Sequence, residues 1–222
     1  MTRILIPSAG PSTWQQFLAK PDRQWVTGFS ARTLAYSWEA QLGWPPEVAN
    51  ILEQAFGPTE LLLAIPEHKT PLPGGRRESQ SDVFAIGRHG DGVVACTIEG
   101  KVNEPFGPTV KDQMRDASPG RRERFDYLCA ALGLDNCPED VHYQLLHRTV
   151  SALIEARRFA ATDAAMIVHS FSPDKRWLAA FERFVGLFGH KVEVDRTINI
   201  KTPDGKRLVL GWACGDPRHL AA

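Results

Sequence analysis

Apolar and polar positions alternate most regularly between Ser81 and Val102. Ser81-Asp82-Val83-Phe84-Ala85-Ile86 and Ala95-Cys96-Thr97-Ile98-Glu99-Gly100-Lys101 read as two strands, and Gly90-Asp91-Gly92 between them as a tight turn. Val94, Cys96, Ile98 and Val102 form the buried face of the second strand, as a period of two requires. With Gly90-Asp91 at the tip, a two-residue loop pairs positions that sum to 181, and a four-residue loop from His89 to Gly92 gives the same register. Asp82 then lies opposite Glu99, with Lys101 two residues along on the same face. A tip at Asp91-Gly92 would pair Asp82 with Lys101 instead, as an ordinary ion pair. A three-residue loop would set Asp82 against Gly100. The first register is the preferred one.

The remaining pattern supplies the frame. Residues 1 to 29 are mixed and punctuated by Pro7, Pro11 and Pro21, with Ser12 placed to cap a short helix through Leu18. Ser30 to Leu42 reads as a helix, Leu34 and Trp38 one turn apart, closed by Gly43. Pro45 and Pro46 open the next, Glu47 to Phe56. Leu61 to Ile65 is a continuous apolar run of buried-strand type. Pro71, Pro73, Gly74 and Gly75 mark a loop carrying Arg76 and Arg77. After the hairpin, about 81–103, Pro105, Gly107 and Pro108 break the strand. Helices follow from about Pro119 to Leu132, ended by Gly133, and from Pro138 to about Phe159. Ala165 to His169 is a short apolar strand. Ser172-Pro173 predicts the start of a helix with an apolar stripe from Trp177 to Phe188, and Gly189 its stop. A second hairpin, 191–200 and 206–214, turns at Pro203-Asp204-Gly205. Helix, three strands, helix, strand is a three-layer α/β order with a mixed central sheet flanked by helices. An N-terminal helical extension and a C-terminal helix and hairpin complete it as one domain.

Composition narrows the function. The 222 residues suffice for one sizeable core, and 26 basic against 26 acidic residues exclude a strongly basic nucleic-acid coat. Any nucleic-acid contact must come from a local patch. Cys96, Cys129, Cys137 and Cys214 are scattered without a Cys-x-x-Cys pair, which argues for a reducing compartment and against a disulfide scaffold or cysteine zinc site. The N-terminus lacks the apolar core of a signal peptide, and no run reaches the roughly 18 apolar residues of a membrane span. The expectation is a cytoplasmic protein with no membrane partner.

Asp82 and Glu99 carry the candidate chemistry. Directly opposed strand residues have Cβ atoms about 4.5–5.5 Å apart, and like charges at that distance repel unless a positive group lies between them. A divalent cation suits the place, with Lys101 beside it. Mg²⁺ keeps several of its waters, so one or two carboxylates suffice. Such an ion would lower the pKa of a bound water and stabilise charge on a phosphoryl oxygen. The plain alternative is a solvated strand face with one exposed ion pair.

The order of elements, with an aspartate opening the second strand and Glu-x-Lys in the third, resembles the PD-(D/E)XK nuclease superfamily, restriction-endonuclease-like proteins, over about residues 46 to 171. The resemblance implies Mg²⁺ or Mn²⁺ on Asp82 and Glu99, and Lys101 positioning or polarising the attacking water. The reaction would be hydrolysis of a phosphodiester in nucleic acid, with DNA ahead of RNA. Gln144 is the nearest match to a glutamine motif that some members carry on the following helix. Glu39 or Glu53 stands where others have an extra acid on the first helix. The chain departs from the pattern at Ser81, where proline is usual, at Gly100, where an apolar residue is commoner, and at Arg148, where some members have tyrosine. Members that have lost activity supply the alternative, a binding or interaction protein of the same fold.

Other features read more plainly. Gln144 and Arg148 share a helix face, from which Arg148 can reach a phosphate. Glu155 and Arg158 read as solvated helix surface, Glu104 as a strand end and Asp91 as a turn residue. Lys111, Arg115, Arg121, Arg122 and Arg124 form a phosphate-tracking surface or, with their interleaved acids, a solvated helix pair. The histidines lack His-x-x-x-His spacing, and His142 and His147 lie on different faces, so a histidine zinc site is not expected. Gly74-Gly75 does not open a helix as a phosphate-binding loop does. The six tryptophans, four before residue 45, read as packing residues.

Overall fold

A computed structural model describes residues 8–222. Pro7 and most of the segment read as lacking a signal-type core lie outside the described residues. Six strands form one sheet in the order β1-β2-β3-β4-β6-β5: β1 (Thr59–Thr70), β2 (Ser79–His89), β3 (Gly92–Lys101), β4 (Asp163–Ser170), β5 (Thr197–Lys201) and β6 (Arg207–Cys214). β3-β4 and β4-β6 are parallel and the other pairs antiparallel, so the sheet is mixed. The helices are α1 (Pro21–Gln24), α2 (Ser30–Glu39), α3 (Pro46–Phe56), α4 (Val110–Met114), α5 (Pro119–Leu132), α6 (Tyr143–Arg158) and α7 (Leu178–Val185).

The strand alternation sorts the core into two layers. Phe84, Ala95, Met166, Val168, Leu210 and Trp212 project to one face and pack with Leu128 of α5, Leu146 and Val150 of α6, and Phe181 and Phe184 of α7. Val83, Cys96, Ile98, Ile167 and Val209 project to the other and pack with Trp14, Leu34 and Trp38, and with Ile51 and Leu52 of α3. Helices therefore cover both faces, the three-layer α/β arrangement expected. Central β4 is buried along its whole length, as a strand covered on both faces must be.

The hairpin register is the preferred one: Val83↔Ile98 through His89↔Gly92 all sum to 181, with Gly90 at φ 44° in the turn. The second hairpin also turns where expected and extends the same sheet, β6 lying beside β4, but its first strand begins at Thr197 rather than 191, since Asp195 takes a left-handed φ of 59°.

Several boundaries differ. β1 runs well past Ile65 to Thr70. The helix expected from Pro138 begins at Tyr143, because His142 is held in a bridge to Thr109. The helix expected from Ser172-Pro173 begins at Leu178. Lys175 (φ 51°) and Trp177 (φ 70°) take left-handed backbone that no helix tolerates, and Ser172 Oγ instead caps the turn through Arg176 N at 3.1 Å. Glu155, read as helix surface, is fully buried; its Oε1 accepts from Thr70 Oγ1 at 2.8 Å and lies 3.1 Å from His68 Nε2. Edge strand β1 folds over that face of α6. Arg158 is exposed as read.

Candidate functional site

The hairpin opens at its base, and there the charged residues gather. Pro66↔Val83 and His68↔Ser81 bracket Glu67 opposite Asp82, and the register of β2 with β3 carries the same row on to Glu99. Three carboxylates thus stand in a row across β1, β2 and β3. They line one cleft of about 370 Å³ with Lys101, Gln144 and Arg148. Arg23, Phe29 and Ser30 also line it.

Glu99 is the best-held group. Its Oε1 accepts from Lys101 Nζ at 2.6 Å and Gln144 Nε2 at 2.8 Å, and its Oε2 from Arg148 Nε at 2.6 Å. Burial alone would raise its pKa, but the Lys101 and Arg148 charges outweigh it and hold the carboxyl at about 2. Arg148 also donates to Ser79 Oγ at 3.0 Å, and Ser79 lies 2.8 Å from His147 Nδ1. Burial, then the Arg148 charge, keeps His147 well below its ordinary pKa and so neutral. Arg148 Nη1, which can only donate, also faces Nδ1 at 3.5 Å, so Nδ1 is the acceptor and Ser79 the donor. Arg148, 8% exposed, is thus committed to Glu99 and Ser79 rather than presented to a ligand.

Asp82 and Glu67 behave oppositely. Asp82 Oδ2 accepts from Gly100 N at 2.7 Å. Burial, then the Glu99 charge, pushes its pKa up to about 7. Glu67 Oε2 accepts from Gln80 Nε2 at 2.6 Å, and burial followed by the Asp82 charge raises it to about 8. Glu67 also holds a left-handed φ of 53° inside a strand, a conformation uncommon for a non-glycine residue. Gly100, the departure within Glu-x-Lys, now has a physical reason. A Cβ there would lie 3.2 Å from Leu34 Cδ2 and 3.3 Å from Asp82 Oδ2, so glycine makes the room in which the Asp82 carboxylate turns to the backbone.

Asp82, Glu99, Lys101 and Gln144 therefore share one cleft. Glu39 and Glu53 do not line it: Glu39 accepts from Trp14 Nε1 at 2.8 Å, and Glu53 is exposed on α3. Glu104 is more than a strand end, since it lines the cleft and Oε1 accepts from Ser30 N at 2.7 Å at the start of α2. The basic group divides. Arg115 pairs with Asp112 at 2.9 Å and Lys111 approaches Glu139 at 3.9 Å, as in a solvated helix pair, while Arg121 and Arg124 line a separate cavity. Glu67 was missed by sequence reasoning. The only signal is its place just after the Leu61–Ile65 run, in the strand that enters the hairpin.

Asp82 Oδ1 and Glu67 Oε1 accept no hydrogen bond among the described residues, and the raised pKa values mark a place that keeps protons where a cation would be favoured. That donor set, carboxylate oxygens alone, fits a hard divalent ion. Both oxygens of Glu99 are already taken, however. Among the described residues, no three His, Cys, Asp or Glu side chains form a group that could hold a metal ion.

Fold and cleft together define an α/β protein with a carboxylate–lysine cluster at the open end of a sheet hairpin. Residues 7–217 match the model of a family described as Domain of unknown function (DUF6946), and the chain belongs to that family. Comparison with curated proteins returned no match, nor did comparison with solved structures. Among the described residues no helix is long and apolar enough to cross a membrane.

Proposed function

We propose that this protein is a divalent-metal-dependent phosphodiesterase acting on nucleic acid, of PD-(D/E)XK nuclease type. The observation that carries the proposal is the row Glu67, Asp82, Glu99, with Lys101 beside it, lining one cleft of a mixed three-layer α/β fold. Asp82 and Glu67 would hold Mg²⁺ or Mn²⁺ through their remaining oxygens, and Glu99 joins them only by releasing a bond at Oε1. The ion, when bound, supplies charge stabilisation at a phosphoryl oxygen and a more acidic water. Lys101 neutralises Glu99 and presents an ammonium charge to a phosphate oxygen. Gln144, on both Glu99 and the cleft, orients the carboxylate or the attacking water. Arg148 is a positioning residue, acting through Glu99. The free thiols of Cys96, Cys129, Cys137 and Cys214 favour a reducing, cytoplasmic setting.

One observation favours a second reading, a binding protein that has lost activity: Glu99 is clamped on both oxygens by Lys101, Gln144 and Arg148. The test is cleavage of end-labelled single-stranded DNA, duplex DNA and RNA in Mn²⁺ or Mg²⁺. The proposal expects cleavage by the wild type that is abolished by chelator and by Asp82→Asn. No cleavage of any substrate, or cleavage equal in Asp82→Asn, rejects it and leaves the binding protein.

A further inference from the structure

Beyond the acidic cleft lies a second cavity, and beyond that a third. The cleft shares Gln144 and Arg148 with a cavity of about 410 Å³, which in turn shares Arg77, Arg124 and Tyr143 with one of about 260 Å³. The third cavity lies at the N-terminal end of α5, between that helix and the 71–78 loop. Its charged lining is Arg76, Arg77, Arg121 and Arg124, and no carboxylate among the described residues lines it.

The pocket is built rather than incidental. Gly74 (φ 75°) and Gly120 touch backbone to backbone: a Cβ on Gly74 would fall 2.0 Å from Gly120 O, and one on Gly120 would fall 2.5 Å from Gly74 O. Only a glycine pair lets the loop press onto the start of α5. Gly74-Gly75 thus opens no helix of its own but docks on one far along the chain. Arg124 fastens the loop, with Nε donating to Pro73 O at 2.9 Å and Nη2 to Gly75 O at 3.2 Å. Arg121 Nη1 donates to Gln113 O at 3.1 Å. These partners are neutral carbonyls, so neither guanidinium charge is compensated. Arg76 and Arg77 make no ion pair or side-chain hydrogen bond among the described residues. The start of a 14-residue helix adds its partial positive charge.

Tyr143 supplies an independent sign of a ligand. Tyr143 lines the cavity and is only 6% exposed, and its buried hydroxyl has no hydrogen-bond partner among the described residues. Leaving a buried hydroxyl without a partner is disfavoured, because it gives up its bond to water and gains none in return. Burial raises the phenol's pKa to about 12 even with Arg124 and Arg121 close by, so it remains a donor.

We propose that this pocket is a phosphate-binding subsite in which Arg77, Arg121 and the Tyr143 hydroxyl hold a phosphate group. If the group belongs to a nucleic-acid strand, which rests on the function proposed above, the middle cavity carries that strand to the acidic cleft. His147, half-buried, lines the middle cavity as a ring against which a base can stack. Arg148 and Gln144 then stand between the subsite and the carboxylates.

The test is anisotropy of a fluorescein-labelled single-stranded 12-mer in chelator, where no metal contributes, together with thermal shift in inorganic phosphate and pyrophosphate. Arg77→Gln and Arg121→Gln should each weaken oligonucleotide binding about fivefold or more and lower the salt slope by about one. Tyr143→Phe should weaken it severalfold without lowering thermal stability, because the hydroxyl bonds nothing in the protein. A merely structural tyrosine would show the reverse. Arg115→Gln, whose partner is Asp112, should bind as wild type. Asp82→Asn should also keep its oligonucleotide binding, so loss of cleavage and loss of the subsite read out separately. Protection of the wild type by pyrophosphate but not by the oligonucleotide, lost in Arg121→Gln, supports the subsite and rejects a strand as its occupant. Equal behaviour of wild type, Arg77→Gln, Arg121→Gln and Tyr143→Phe toward every probe overturns it.

Discussion

Replacing Asp82 by Asn should stabilise this protein at alkaline pH and leave it nearly unchanged in acid. In the folded chain Asp82 keeps its proton up to about pH 7, against an ordinary value of 3.8. Between those values the native state binds more protons than the unfolded state, so stability is lost as pH rises. At ~1.4 kcal/mol per pH unit the gap amounts to an upper bound of ~4 kcal/mol once pH exceeds both values. Asn keeps the acceptor for Gly100 N and removes the charge. It also removes the Asp82 contribution that helps raise Glu67 to about 8. Urea denaturation in chelator, followed by tryptophan fluorescence at pH 4, 6 and 8.5, measures the effect. The expected gain is ~2–4 kcal/mol at pH 8.5 and under ~0.5 kcal/mol at pH 4. The same gain at both pH values, or a loss at pH 8.5, would refute the reasoning that crowding by Glu99 and burial set this group.

Three further outcomes follow from contacts. Gly74→Ala drives a Cβ against Gly120 O at a left-handed φ and should lower stability by about 3 kcal/mol or more, or prevent folding, as seen in thermal melts. Gly100→Val, crowding Leu34 and the Asp82 carboxylate, should cost about 1–3 kcal/mol in the same assay. Arg148→Met removes one of two cations from buried Glu99 and leaves Ser79 Oγ with only its bond to His147. It should lower stability at neutral pH by about 3–5 kcal/mol in urea titrations, and by less once Glu99 can be protonated.

Much of the fold was legible because it is written locally. The Gly90-Asp91 turn and the alternation on either side favour, among three possible registers, the sum of 181 that sets Asp82 beside Glu99 and that the strands adopt. Pro119 and Gly133 bound α5 as capping rules require. The packing role of Trp14, Trp38 and Trp44 was equally plain from composition, and all three are buried. What escaped is set by distant partners. Glu67 faces Asp82 only because β1 pairs with β2 and shifts register between Leu61 and Leu63. Glu155 looks like surface along the helix, yet Thr70 and His68 of the edge strand bury it. The start of α6 depends on a bridge from His142 to Thr109. The arginine pocket needs two glycines, Gly74 and Gly120, to meet across 45 intervening residues.

The central claim is that the carboxylate row holds a divalent ion, and calorimetric titration of Mn²⁺ at pH 8.5 tests it most directly. Wild type is compared with Asp82→Asn, in the presence and absence of an uncleavable phosphorothioate oligonucleotide. The account predicts binding by the wild type, strengthened by the oligonucleotide, and none by Asp82→Asn. No heat from the wild type in either condition, or equal binding by the variant, would contradict it.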